Sequence, residues 1–126
     1  MTSRMRLCVS AGCCAVLVHT AAAAPRNFKA ALTGDWATAG NWVEGVAPID
    51  GDDVWITNSG GIATLSSPSS NLNSITINKT LTFTNWTASL SAVSVTILSN
   101  GLVNLPPAFT NNMPSNRVWI VCSDLW

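Results

Sequence analysis

The chain has 126 residues, with six Lys and Arg against six Asp and Glu, one His, six Trp, four Cys and no Tyr. So balanced and sparse a charge excludes the basic patch that nucleic-acid phosphates need, and the polybasic anchor that an anionic membrane surface needs. The length allows one domain, and the cysteines do not form a disulfide framework, because Cys8, Cys13 and Cys14 lie together near the start and leave Cys122 alone.

In chain order, Arg4 and Arg6 precede Leu7–Val18, a mostly apolar or small run, and Ala21–Ala24 then lead into Pro25. This is the layout of a secretory signal peptide. The run is about 12 residues, well short of the ~20 that a bilayer span needs. Residues 1–24 are therefore set aside, and the mature chain is expected to be secreted, extracellular or at a cell surface. The alternative is a retained N-terminal helix. His19 falls in this segment, so no mature Ser-His pair or His-based metal site is expected.

Residues 25–52 read as a Trp-rich N-terminal cap or lead-in. Five of the six acidic residues fall between Asp35 and Asp53. Trp36 and Trp42 are expected to cover the open end of the first coil, each burying about 150–250 Å² with its indole N–H near solvent. A sharper reading gives them to carbohydrate, a flat indole face meeting a sugar ring, with Trp86 in "TNWTA" as a further platform. The plainer role for Trp86 is a turn residue packed on the side of the fold. Asp50, Asp52 and Asp53 could supply oxygens to Ca²⁺. Their spacing does not match a calcium-binding loop with a distant Glu, and solvated Asx turns are the ordinary use of such residues. No other cofactor is expected.

From Asp53 the pattern has period two: "DVWI" (53–56), "IATL" (62–65), "SITIN" (74–78), "TLTFT" (80–84), "SVTIL" (94–98) and "GLVNL" (101–105). Short alternating runs between polar turn residues are strands. The runs also repeat, since Val54, Ile75 and Val95 open equivalent triplets 21 and then 20 residues apart. Such a period in an all-β chain predicts a short right-handed parallel β-helix, a solenoid of two to three coils over residues 53–105. Val54, Ile75 and Val95 should then form one internal ladder, and Ile56, Ile77 and Ile97 the next. An antiparallel β-sandwich of six short strands is the alternative.

Pro106 and Pro107 cannot donate to a central ladder, so the regular coils should stop near Leu105. Residues 106–126 are read as a C-terminal tail or cap, with Val118–Cys122 as a last strand or an apolar lid. Cys122 is expected to be a part-buried thiol or an inter-chain partner. Asn78 and Asn85 begin glycosylation sequons, which matter only in a eukaryotic host and which Thr/Asn-rich strands also produce by chance.

The stretch running from the two Trp through "PIDGDDVWI", "IATL", "LNSITI", "KTLTF", "LSAVSVTI" and "NGLVNL" resembles the G8-type extracellular module. It is also similar to the opening coils of bacterial secreted right-handed β-helix proteins with autotransporter-associated strand repeats. The resemblance spans roughly Asp35 to Leu105. It departs in having few coil glycines and in Lys79, where the family often has Gly. It implies a secreted or cell-surface β-solenoid tied to polysaccharide or adhesion, with no catalytic residue carried over.

The expected role is therefore structural or adhesive and non-catalytic. Its expected partners are other surface proteins, a polysaccharide, or a second copy meeting it at the solenoid edge. The alternative is a carbohydrate-binding module using Trp36, Trp42 and Trp86. A distant third is a polysaccharide-degrading enzyme, which would need facing carboxylates or Lys79 or Arg117 as a base.

Overall fold

The computed structural model describes residues 22–29, 33–57, 61–107 and 117–126. The signal peptide read over 1–24 lies, up to residue 21, outside the described residues, as do residues 108–116 of the tail. The described strands are β1 (Pro25–Asn27), β2 (Thr33–Asp35), β3 (Asp53–Ile56), β4 (Ile62–Leu65), β5 (Asn71–Ile77), β6 (Thr80–Phe83), β7 (Ser89–Ile97), β8 (Leu102–Asn104), β9 (Trp119–Val121) and β10 (Asp124–Leu125). A 3₁₀ turn, Ala39–Asn41, sits in the Trp-rich stretch.

The protein is all-β, with two parallel sheets. One has the order β1-β3-β5-β7-β10, with β9 also on β7, and the other has the order β2-β4-β6-β8. All pairs between these strands are parallel. That overturns the antiparallel sandwich, whose short turns would pair strands adjacent in sequence. The isolated bridge Phe28–Trp42 is antiparallel but joins no two strands.

The register follows from the period-two pattern. Val54 pairs with Ile75 and Ile75 with Val95, while Ile56 pairs with Ile77 and Ile77 with Ile97. Val54, Ile75, Val95 and Ile77 are fully buried. A one-residue slip would turn every one of them to solvent, so burial of about 1.5–3 kcal/mol per side chain fixes the alignment. In the second sheet Gly34, Ala63, Leu81 and Val103 form one ladder, and Leu65 pairs with Phe83 in the next.

The strands differ from expectation in two places. β5 and β7 begin at Asn71 and Ser89, not near Ser74 and Ser94. Their buried positions step by three, from Leu72 to Ile75 and from Ala92 to Val95, so each bends at a corner and the strict alternation that marks a strand is broken there. The chain also enters the sheets before Asp53. β1 and β2 lie within the stretch read as a cap, yet "PRN" and "TGD" hold no apolar alternation, and only their pairing with β3 and β4 makes them strands. At the other end, Val118–Cys122 supplies β9, the last-strand option of the two expected.

Two glycines are demanded by geometry. Gly51 has φ 84° in the turn closed by the Asp52 N–H on the Ile49 carbonyl at 3.2 Å, the position where a type II turn needs glycine. At Gly101 an added Cβ would run into the Ile77 carbonyl oxygen and lie 2.7 Å from the Ile97 Cγ2.

Candidate functional site

Three regions carry side chains with chemistry to offer: the Trp-rich N-terminal end, the C-terminal end of the stack, and the outer face of the first sheet. At the N-terminal end, Trp36 and Trp42 are 5% and 0% exposed. Trp42 packs edge-on between Phe28, at 5.3 Å between ring centroids, and Trp36, at 5.1 Å. Its Nε1 donates to the Trp36 carbonyl at 2.9 Å, in the interior. The indole N–H expected near solvent is thus internal for Trp42, and neither ring shows solvent the open face that sugar stacking requires. Both rings belong to the buried core instead. Trp86 is half-buried in the turn after β6.

The three aspartates point to different partners. Asp52 is buried, and its Oδ2 accepts from the Arg26 Nε at 2.6 Å and from the Ile49 N–H at 3.0 Å. Asp50 accepts the Asn71 N–H at 2.8 Å. Asp53 accepts from the Asn73 Nδ2 at 2.8 Å and the Ser74 Oγ at 2.6 Å. They are spent on turns and on strand-to-strand links. Among the described residues no three His, Cys, Asp or Glu side chains gather as a metal-ligand set, no cavity opens, and no helix is long and apolar enough to cross a membrane.

Glu44 closes the same end from outside. Its Oε1 takes the Asn27 Nδ2 at 2.7 Å and its Oε2 the Asn27 N–H at 2.9 Å. Burial pushes this carboxyl up, but the Asn27 side-chain and backbone donors, its own N–H and the Arg26 charge outweigh that and hold it below its ordinary value.

The C-terminal end is finished differently. Ile120 pairs with Leu90 and Leu125 with Val95, both partners being fully buried inward positions. Nothing among the described residues covers the next rung, and Ile120 and Leu125 are 38% and 61% exposed. Trp119, Val121 and Trp126 are exposed beside them, with the Arg117 guanidinium 5.8 Å above the Trp119 ring. Cys122 is a free, half-buried thiol packed against the core.

On the outer face of the first sheet, sequence reading missed Trp55 and Trp126. Trp55 pairs with Asn27 on one side and Thr76 on the other, and Thr76 pairs with Thr96. Trp126 donates its N–H to the Val95 carbonyl and accepts the Ile97 N–H, which places it opposite Thr96. The signal was present in the alternation: Trp55 lies between inward Val54 and Ile56 and must face out. Trp126 carries no such signal, because its place depends on β10 docking in parallel on β7.

Comparison with known proteins returns no match, neither a family model nor a curated protein nor a solved structure.

Proposed function

We propose that the chain is a secreted or cell-surface structural or adhesive module, non-catalytic, built as a short right-handed parallel β-solenoid that associates through its C-terminal edge. The observation that carries this reading is the apolar last rung, where Ile120 and Leu125 occupy inward positions with no described residue over them. Unpaired edges with apolar side chains are templates for further strand pairing, and exposed apolar patches of this kind mark interaction surfaces. The solenoid reading is supported by strands that alternate between two parallel sheets, and its hand by the strong preference for right-handed crossovers. The resemblance to G8-type and strand-repeat proteins favours the same class.

The test is solution mass by light scattering across a range of concentrations, for the wild type and for Ile120→Lys. The wild type should form dimers or larger species as concentration rises, and a lysine on the open rung should return it to monomer. A wild type that stays monomeric throughout, or an Ile120→Lys variant that associates equally well, would overturn the proposal.

A further inference from the structure

We propose that the outer face of the first sheet binds a linear, uncharged, β-linked polysaccharide, held by Trp55 and Trp126. This goes beyond the edge-pairing role and uses a different surface. One outward row runs Asn27, Trp55, Thr76, Thr96, Trp126 across the strands. Trp55 is 40% exposed and Trp126 76%. They stand three strand steps apart, about 14 Å at the usual spacing of parallel strands. An extended β-linked pyranose chain advances by a little more than one strand spacing per sugar. A chain laid across the strands would therefore place one sugar on each indole, with two over the threonines between.

The chemistry of the two outward rows suits such a ligand. Sugars with equatorial substituents present axial C–H groups, and these meet the negative face of an indole favourably. Thr76 and Thr96 supply hydroxyls between the rings. The parallel row, Asp53, Ser74, Ser94, Asp124, adds carboxylates and hydroxyls. The Ser74 hydroxyl already donates to Asp53, which orients its oxygen as an acceptor for a sugar O–H. Neither row contains Lys or Arg, while each carboxylate would repel a polyanion, so charge favours a neutral polymer over a sulfated or uronic one. Because every side chain stands on a hydrogen-bonded sheet, binding would order little that is not already ordered.

The experiment measures retention of the purified protein on microcrystalline cellulose and chitin beads, with amylose and heparin resins beside them, for the wild type, Trp55→Ala, Trp126→Ala and Trp55→Phe. Circular dichroism checks each fold. The wild type should be held by at least one β-linked polymer and by neither amylose nor heparin. Each alanine should weaken binding about tenfold, which corresponds to about 1.4 kcal/mol, and Trp55→Phe should recover part of the loss. Ile120→Lys should bind like the wild type, which separates this site from the open rung. The proposal fails if the wild type passes through both β-linked polymers or binds amylose or heparin as well as it binds them. It also fails if Trp126→Ala, at an exposed site that leaves the fold intact, is retained as strongly as the wild type.

Discussion

The two ends of the stack solve the same problem in opposite ways. Every parallel sheet has an outermost rung with unpaired backbone and an inward side chain with no neighbour beyond it. At the N-terminal end the outer strand, β1, starts with Pro25, which has no N–H to donate, and its inward position is Arg26, locked to Asp52. A proline and an inward charge are devices that discourage further pairing. Behind them Phe28, Trp36 and Trp42 fill the interior. At the C-terminal end, among the described residues, the same ladder finishes on Leu125, and the neighbouring one on Ile120. Head-to-tail growth would set Arg26 of one copy against Leu125 of the next, burying a charge without a new partner. Under the proposed association, the asymmetry disfavours head-to-tail growth and leaves the C-terminal ends as the surfaces that meet.

The closed N-terminal end is lost first if its plug is removed. Trp42→Ala deletes the largest fully buried side chain and its internal hydrogen bond, and should cost about 3–5 kcal/mol. Chemical denaturation would read this as a lowered midpoint, or as failure to fold, since a small domain has only about 5–15 kcal/mol in total. Asp52→Ala should cost about 3 kcal/mol, because it strands a mostly buried guanidinium and removes the acceptor of the Ile49 N–H. The informative companion is Arg26→Met with Asp52→Asn. It should recover most of the lost midpoint and, by making the inward position apolar, should let mixed-end assemblies appear in light scattering. If that double variant stays in the wild type's assembly state, the charge is not what keeps the N-terminal end apart.

How much of this could be read beforehand depends on what fixes each element. The ladders Val54–Ile75–Val95 and Ile56–Ile77–Ile97 were legible because two features agree, a period of two within each strand and a period near 20 between strands. β1 and β2 were not, since "PRN" and "TGD" have no apolar pattern and become strands by docking on β3 and β4. The corners at Asn73 and Val93 were hidden because a three-residue step between inward positions looks like the end of a strand. Among the candidate binding residues, Trp36 and Trp42 drew attention through composition, yet burial gives them a structural role. Trp55 was printed in "DVWI" between two inward residues, and the alternation alone puts it outside. Trp126 needed the tertiary fact that the chain returns to β7 after residues 108–116.

A mid-sized effect tests the turn that carries the chain between the sheets. Gly101→Ala pushes a methyl against the Ile77 carbonyl and the Ile97 side chain, and should cost about 1–3 kcal/mol, the range for overpacking. Thermal melts should show it, while assembly through Ile120 should persist in the folded fraction. A variant as stable as the wild type would mean that the neighbouring strands yield more readily than a packed stack should.

The smallest effect concerns how the closed end responds to acid. Glu44 clamps β1 through both donors of Asn27, and its carboxyl is held below the ordinary value, so the folded state favours its ionised form. The sign follows directly. A depressed folded value adds stability that is fully present above the ordinary carboxylate value and is lost as pH falls through the folded one. Glu44 is exposed, so water screens the contribution and it should remain small beside those above. The measurement is the difference in melting temperature between the wild type and Glu44→Gln, at neutral pH and again below the folded value. The gap should be positive at neutral pH and shrink towards zero on acidification. Because the clamp acts on β1 alone, hydrogen exchange at Asn27 should quicken in acid before exchange at Ile75 does. Equal acid sensitivity in the two proteins would assign the loss to other carboxylates and leave the N-terminal end held by its packing alone.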